Sequence, residues 1–429
     1  MLNVENRFLK YLGVISLVVM MVACAWTAIL TLIFILFQPR RFLRLLMPCF
    51  VVCLLPSTGF HNNLGSSAPS FIPICVGVAG MEIFMRVGLV GLGAMGSAHL
   101  TNYLAMKENN EDVELVAICD VDEKKLSSSE ATMGNLDVSK AEFDLSPYKH
   151  YTCMEEMISK ENLDFVDLCL PTYLHAPMAI KAMELGVHVF CEKPMARSSD
   201  ACNEMITVAK RTGKKLMIGH TLRYWDSYAF AKDYIDRNIF GKCLSGYFYR
   251  GGGTPIWSWE NWLLTKERSG GCLLDQHVHD VDTIVWMFGL PKAVSTTGVN
   301  VIPGSGYDIV STNYIYDDGK VINAQDDWVI NGEGYGFDML FRLNFEKGAL
   351  IFEKGKLMVH PVGGEAYEAK LEGNNAYYDE IILFAKLIKG DSPFDYIALL
   401  ESHRDTIILA EAEEKSADSG GAVTVIEKN

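Results

Sequence analysis

The chain has 429 residues, of which 53 are acidic and 38 are Lys or Arg, so its formal net charge is −15. At roughly 150 residues per domain, this length predicts two or three folded units. The acidic balance argues against a nucleic-acid partner, because phosphate binding needs clustered cations. With 49% apolar residues and 36 glycines, the composition also excludes a disordered chain and a collagen-like repeat.

The N-terminal 80 residues differ from the rest of the chain in composition. They carry a net charge of +4, which leaves −19 for residues 81–429. Residues 12–37 are an uncharged apolar run of 26 residues, longer than the ~20 that a membrane-spanning helix needs. Arg40, Arg41 and Arg44 follow this run. By the positive-inside rule, a span here would leave the following chain in the cytoplasm.

Two interpretations of residues 1–84 stay open. The segment is either a membrane anchor through residues 12–37 or the product of a start site assigned too far upstream, with Met81 or Met85 near the natural start. Under both interpretations the catalytic part is cytoplasmic. The cysteines agree, because the seven from Cys119 to Cys272 show no CxxC motif and no regular spacing, which favours a reducing compartment.

The strongest motif is a glycine-rich turn that follows a short apolar strand at residues 86–90 and precedes a helix at 97–104. Its glycines allow a tight turn, a close approach of backbone to pyrophosphate, and close packing of helix on strand. The helix N-terminus then offers free N–H groups to the phosphates. The motif is a GxGxxG turn made of Gly91, Leu92, Gly93, Ala94, Met95 and Gly96.

The next strand supports a dinucleotide ligand. Residues 113–119 form an apolar strand that ends at Asp120, 24 residues after Gly96. An acid at this point hydrogen-bonds the adenosine ribose and repels a 2′-phosphate, so NAD is favoured over NADP. The alternative is an ordinary strand–helix turn that binds nothing.

The alternation of strands and helices continues and predicts an α/β fold with a doubly wound parallel sheet. Ligands of such sheets bind at the carboxyl ends of the strands. Predicted strands span residues 163–170, 187–191 and 215–219, with helices at 175–185 and 199–211 between them. The residues that this topology brings to one edge are Gly91, Asp120, Pro171, Glu192 and His220.

Lys193 lies at one of these strand ends, in the sequence Cys191-Glu192-Lys193-Pro194. Its ammonium group would lie beside the nicotinamide and could stabilise negative charge on a substrate oxygen. The alternative is a surface lysine after a strand. The adjacent proline, which fixes the backbone, favours the functional interpretation.

A second candidate segment is a predicted helix with an apolar stripe. Asp275, His279 and Asp282 recur at steps of four and three, so they share one face beside that stripe. Histidine is the usual proton-transfer group near neutral pH. Asp275 and His279 could also chelate a metal, but no third ligand is evident, and no metal is predicted. The stripe consists of Leu274, Val278, Val281, Val285 and Phe288.

Together these segments resemble the Gfo/Idh/MocA oxidoreductase family, which includes inositol dehydrogenases and glucose–fructose oxidoreductase. The resemblance implies a Rossmann domain at residues 85–222 and an α/β domain with a large open mixed sheet at 223–429, the latter forming a homodimer or homotetramer. The matching segments are Gly91–Gly96, Leu170–His175, Cys191–Pro194 and Gly270–Asp280.

The resemblance also implies roles for individual residues. Lys193, Asp275 and His279 match the family's catalytic group, in which the histidine takes the hydroxyl proton while hydride leaves for the nicotinamide. His277 departs from the small residues frequent at its position, which predicts different local packing. Residues placed on the nicotinamide side are Pro171, Thr172 and His175, and Glu192 joins the cofactor-binding set.

The sequence contains no motif that identifies the substrate-binding residues. Arg223 and Tyr224 follow the last Rossmann strand, and Trp259 lies in a glycine-flanked loop. These side chains suit a sugar, a sugar derivative or an inositol, although the tryptophan equally suits a domain core or a subunit interface. Two other functions remain open: a glycoside hydrolase that recycles its NAD, and a non-catalytic sensor of sugar or nucleotide.

Overall fold

A computed structural model gives the fold of most of the chain after residue 83. The predicted membrane segment at residues 12–37 lies outside the described part. Within that part, no helix is both long enough and apolar enough to cross a bilayer. The seven cysteines from Cys119 to Cys272 are all described and all unpaired. The described residues are 84–127, 143–332, 335–373, 375–391 and 396–427.

The first sheet has six strands in the described part: β1 (Met85–Val90), β2 (Val113–Cys119), β3 (Lys149–Tyr151), β4 (Phe165–Leu168), β5 (His188–Glu192) and β6 (Leu216–Gly219). Their order is β3-β2-β1-β4-β5-β6, and every neighbouring pair is parallel. The predicted doubly wound sheet is therefore confirmed. The order switches direction between β1 and β4, where the carboxyl ends of strands leave a crevice for a ligand.

Helices cover both faces of this sheet: α1 (Ala94–Glu108), α2 (Glu123–Ser127), α3 (Met154–Glu161), α4 (His175–Glu184) and α5 (Ser199–Thr212). Side chains of successive strand residues alternate between the faces. Val166 and Val189 pack with α3, α4 and α5 on one face. Leu89 and Phe165 pack on the other with Leu100 of α1.

The second sheet is mixed and has nine strands in the described part. Their order is β14-β13-β12-β11-β7-β10-β9-β8-β15, and β7 and β10 form its parallel pair. Phe248 of β7 packs against Val281 of α9 in the core of this half. The elements are α6 (Asp226–Asp236), β7 (Cys243–Gly251), α7 (Lys266–Ser269), α8 (Gly271–Asp275), α9 (Val278–Phe288), β8 (Ala293–Val299), β9 (Ile309–Ile315), β10 (Val321–Asp327), β11 (Asp338–Phe345), β12 (Gly348–Glu353), β13 (Lys356–Pro361), β14 (Tyr367–Glu368) and β15 (Thr424–Val425).

The predicted continuous helix across residues 274–288 is wrong in one respect. The helix is interrupted at Gln276 and His277, so α8 ends at Asp275 and α9 begins at Val278. The backbone N–H groups of Gln276 and His277 both donate to the carbonyl of Cys272. The interruption accompanies the burial of His277 among acidic side chains of the second domain. The apolar stripe itself is buried at Leu274 through Val285 and half-buried at Phe288.

The C-terminal helices α10 (Ala376–Lys389) and α11 (Tyr396–Asp418) return to the first sheet. Phe384 of α10 packs edge-on against Phe165, with ring centroids 5.2 Å apart, and lies 5.8 Å from Phe190. Leu400 and Ile407 of α11 join the core on the opposite face. Both halves of the first sheet's core therefore include residues from the end of the chain.

We expect Phe384→Ala to lower the free energy of unfolding by about 3–5 kcal/mol, because it removes a wholly buried aromatic ring and leaves a cavity. Denaturant unfolding followed by circular dichroism would measure the change. The control Val362→Ala, at a side chain 75% exposed, should stay within about 0.5 kcal/mol of the wild type. A loss below about 1 kcal/mol in Phe384→Ala would mean that α10 does not close this core.

Candidate active site

The glycine turn has the backbone geometry of a phosphate cradle. Gly91 has φ of +94°, and a Cβ there would overlap the carbonyl oxygen of Cys169. A Cβ at Gly96 would overlap the carbonyl of Gly91. Gly93, which precedes α1, has no atom within 4 Å of the place where a Cβ would stand. The turn is therefore closed on the protein side and open at the helix N-terminus, as a pyrophosphate requires.

Asp120 lies beside this turn at the end of β2. Its carboxylate accepts hydrogen bonds from the backbone N–H of Leu92 at 2.8 Å and from that of Asp122 at 2.9 Å. Lys125 lies 3.6 Å from the same carboxylate. The predicted acid is thus in place, and it also orients the glycine turn.

The ends of β4 and β5 are tied together by His175. Its Nδ1 lies 2.7 Å from the carbonyl of Pro194, and its Nε2 lies 2.8 Å from the carbonyl of Leu170. Burial lowers the pKa of His175, whereas the two carbonyl oxygens favour its charged form. The sequence predicted a cofactor contact for His175, whereas the structure engages both ring nitrogens with the backbone of two loops.

Two other predicted cofactor residues lie in the same loop, directly after β4. Thr172 is 1% exposed, and its hydroxyl has no hydrogen-bond partner among the described residues. Pro171 precedes it and is half-buried. A buried hydroxyl without a partner is a candidate for contact with a bound ligand.

Glu192 and Lys193 form the end of β5 and the start of the next loop. The Glu192 carboxylate is buried, lies 3.0 Å from Nε2 of His99 and accepts the backbone N–H of Lys193 at 3.1 Å. Glu192 therefore holds the backbone of Lys193. The Lys193 ammonium donates to the carbonyl of Asp275 at 2.8 Å and lies 3.6 Å from the Asp275 carboxylate.

His279 is half-buried near the start of α9, and the described residues offer its ring nitrogens no hydrogen-bond partner. The pKa of His279 lies well below its ordinary value, first because burial disfavours the charged ring and then because Lys193 and Arg250 repel it. The ring is therefore neutral near pH 7 and can accept a proton. The structure brings the Lys193 ammonium to Asp275. The positive charge of Lys193 helps to lower the pKa of His279.

Two family models match the chain. Residues 85–220 match an oxidoreductase family with an NAD-binding Rossmann fold, and residues 228–351 match the Gfo/Idh/MocA C-terminal domain. The chain belongs to the Gfo/Idh/MocA oxidoreductase family. Its first sheet with the glycine turn is accordingly an NAD-binding Rossmann domain, as the sequence predicted.

Known proteins similar to this Gfo/Idh/MocA chain differ in their named activities. A 2,7-anhydro-N-acetylneuraminate hydratase of Mediterraneibacter gnavus is 35% identical over 151 residues, 35% of this chain and 40% of that protein. A glycosyl hydrolase family 109 protein of Shewanella pealeana is 30% identical over 162 residues, 38% of this chain and 34% of that protein. The chain thus matches less than half the length of either relative.

Solved structures extend the similarity to both domains. A levoglucosan dehydrogenase in complex with NADH and levoglucosan has a TM-score of 0.67 and 21% identity, covering 80% of this chain and 100% of that one. At this identity the match shows a shared fold. The shared fold thus covers both sheets.

We expect Asp120→Asn to raise the dissociation constant of NADH by about tenfold, because a neutral amide makes a weaker hydrogen bond to the ribose than a carboxylate does. The same change should reduce discrimination against NADPH, because it removes the charge that repels a 2′-phosphate. Fluorescence titration with both nucleotides would measure this. The neighbouring exposed Glu123→Gln should change neither constant, and unchanged NADPH binding in Asp120→Asn would contradict the role of the carboxylate.

Arg223 does not have the position expected of a substrate residue. Its guanidinium is 7% exposed and forms a bidentate ion pair with Asp282, at 2.7 and 2.8 Å. Ser402 of α11 accepts from it as well. The guanidinium of Arg223 thus bonds to side chains of α9 and α11. The same ion pair binds the Asp282 carboxylate, which the sequence predicted to share a polar face with Asp275 and His279. Arg223 therefore has a structural position and is not a substrate residue.

The two aromatic candidates differ in exposure. Tyr224 is half-buried and packs against the core on the α10 side of the first sheet. Trp259 is 39% exposed and lies in a loop where Glu260 and Asn261 both have positive φ. Of the two, Trp259 has a face available to a ligand.

Two buried charged groups beside the site were not predicted. Arg250 of β7 pairs with Asp280 of α9 at 3.0 Å, and the positive charge of Arg250 also acts on His279. His277 is fully buried against Asp326, with Glu413 at 3.2 Å. Although burial opposes it, these acids raise the pKa of His277 well above its ordinary value. The histidine at position 277, where small residues are frequent in the family, therefore places a buried ion-pair cluster in the core of the second domain. The available sequence signals were the single charged residue of β7, Arg250, and the charged pair Asp326 and Asp327 at the end of β10.

Proposed function

We propose that this protein is an NAD-dependent dehydrogenase that oxidises a secondary alcohol of a sugar, a sugar derivative or an inositol. The observation that carries the proposal is the Lys193 ammonium held on Asp275, with a positive charge that lowers the pKa of the half-buried His279. Lys193 follows β5, whose carboxyl end shares its edge of the sheet with the glycine turn. A polar trio at the edge where the dinucleotide binds suits chemistry on a hydroxyl group.

Each of the three side chains has its own task in this proposal. His279, neutral because its pKa is lowered, accepts the proton of the substrate hydroxyl. Lys193 donates a hydrogen bond to the same oxygen and stabilises the negative charge that develops there. Asp275 orients the Lys193 ammonium through its carbonyl and its carboxylate. NAD, when bound, supplies the hydride acceptor.

The named relatives support a carbohydrate substrate. The structural neighbour was solved with levoglucosan, and the two sequence relatives are named for a sialic-acid derivative and for glycosyl hydrolysis. In this chain, the exposed face of Trp259 could pack against the apolar face of a sugar ring.

The test is NADH formation by the purified full chain with NAD and a panel of inositols, free sugars, sugar acids and anhydro sugars. The proposal predicts NADH absorbance with at least one member, together with a stoichiometric ketone product found by mass spectrometry. NADH formation should fall with pH only below the ordinary histidine range, because the pKa of His279 is lowered. Tight NADH binding without turnover of any member would instead favour a sensor.

A second candidate is bond cleavage or hydration with recycling of NAD, favoured by the names of the two sequence relatives. In that case an anhydro sugar or a nitrophenyl glycoside is consumed without net NADH. Carrying out the reaction in D₂O distinguishes the candidates. Deuterium incorporated on carbon of a product formed without net NADH supports recycling, because a transient ketone makes the neighbouring C–H exchangeable.

A further inference from the structure

A cluster of four buried ionisable side chains lies behind Lys193, and one of them is Glu192, which accepts the backbone N–H of Lys193. The other members are His99 of α1, Asp167 of β4 and Glu380 of α10. None of the four is more than 3% exposed. They come from elements that are far apart in sequence, so no local motif marks them.

Glu380 is the member whose carboxylate lacks a hydrogen-bond partner among the described residues. Its side chain is 0% exposed, and neither carboxylate oxygen has a hydrogen-bond partner among the described residues. A buried carboxylate without a partner is strongly unfavourable unless another group neutralises it. A proton or a bound cation can neutralise it.

The donor atoms around Glu380 have the spacing of a metal site. Nε2 of His99, a carboxylate oxygen of Glu192 and one of Glu380 all lie within 4.8 Å of one another. The first two are 3.0 Å apart. Metal–ligand bonds of about 2.1 Å place neighbouring ligands about 3.0 Å apart at right angles and about 3.4 Å apart in a tetrahedron.

The opposite side of His99 is arranged as the surroundings of a metal-binding histidine usually are. Its Nδ1 lies 2.8 Å from the carboxylate of Asp167, and the hydroxyl of Tyr103 donates to the same oxygen at 2.8 Å. A carboxylate on the far nitrogen fixes the ring and directs the other nitrogen toward the ion. Here that other nitrogen faces Glu192 and Glu380.

The charge balance also favours a cation. The cluster contains three carboxylates and one imidazole, and in the described part of the chain no Lys or Arg side chain bonds to any of them. One imidazole and two carboxylates form a donor set typical of Zn²⁺, Mn²⁺ and Fe²⁺, whereas Mg²⁺ and Ca²⁺ prefer oxygen alone.

We propose that His99, Glu192 and Glu380 bind one divalent transition-metal ion. The ion joins α1, β5 and α10, and so fixes the strand end that carries Lys193. Because all three side chains are buried, we assign the ion a structural task. It binds as the chain folds, since the mature site is enclosed.

The test is the metal content of the full chain, produced in medium supplied with Zn²⁺ and Mn²⁺ and purified without chelator. The proposal predicts about one ion per chain by plasma mass spectrometry, and less than about 0.2 in His99→Gln and Glu380→Gln. Glu413→Gln is the matched control, because Glu413 is also wholly buried but belongs to the His277 cluster. This control should keep its ion.

Thermal unfolding supplies the second measurement. A strong chelator should lower the Tm of the wild type by several degrees and leave that of Glu380→Gln unchanged. A wild-type chain without stoichiometric metal overturns the proposal whether or not the variants fold. An ion retained in Glu380→Gln also overturns it. A metal-free wild type with a raised Tm in Glu380→Gln would show that a proton, shared with Glu192, neutralises Glu380 instead.

Discussion

Lys193→Ala is expected to lower kcat/KM for the alcohol substrate by about 10²- to 10³-fold, the usual cost of losing one donor to a developing oxyanion. The ammonium donates to the carbonyl of Asp275 at 2.8 Å and is 14% exposed, so water replaces it poorly. The dissociation constant of NADH should change by less than about tenfold, because the lost interaction acts mainly on the reacting oxygen.

Steady-state kinetics and an NADH titration on the same preparations would measure both effects. Lys210→Ala is the control, because Lys210 is 52% exposed and pairs with the surface residue Glu401. It should match the wild type. Turnover by Lys193→Ala within about threefold of the wild type would remove Lys193 from the mechanism.

The second large effect is expected from the glycine turn. Gly96→Ala places a Cβ into the carbonyl of Gly91, so α1 has to shift away from β1. We expect the dissociation constant of NADH to rise by at least about 100-fold and the free energy of unfolding to fall by about 2 kcal/mol or more, because backbone atoms cannot yield as a side chain does.

Gly93→Ala separates these two effects. No protein atom lies within 4 Å of the Cβ that it adds, so stability should stay within about 0.5 kcal/mol of the wild type. The methyl group enters the open side of the turn, where we expect the pyrophosphate to bind, so NADH affinity should still fall. Isothermal titration and denaturant unfolding would be compared for both variants. Full NADH affinity in Gly93→Ala would place the dinucleotide elsewhere.

The first sheet was predictable because each of its signals is local. The turn at Gly91 to Gly96 lies between a strand and a helix, and Asp120 ends the next strand, so a single pass along the chain finds both. Lys193 was found in the same way, since parallel topology brings strand ends to one edge. The acid–histidine pair was found from a helical period that the structure interrupts between Asp275 and His279.

The remaining features depend on contacts between distant parts of the chain. In the sequence, Arg223 is a substrate candidate by its position after the last Rossmann strand, and its ion pair with Asp282, 59 residues further along the chain, leaves no local signal. Glu380 lies 188 residues beyond Glu192, and no spacing rule connects them. Ion pairs between single side chains of distant helices and strands leave no periodic signal in the sequence. The periodic pattern therefore predicts the strands and helices but not the ion pairs that connect them.

The return of α10 to the first sheet has a consequence during synthesis. Phe165 and Phe190 pack against Phe384, which leaves the ribosome 219 and 194 residues after them. Until then, that side of the nucleotide-binding half remains uncovered, although N-terminal domains generally fold first. Cutting the gene after the sixth strand should therefore yield an aggregating fragment, and the two halves should need to be translated as one polypeptide.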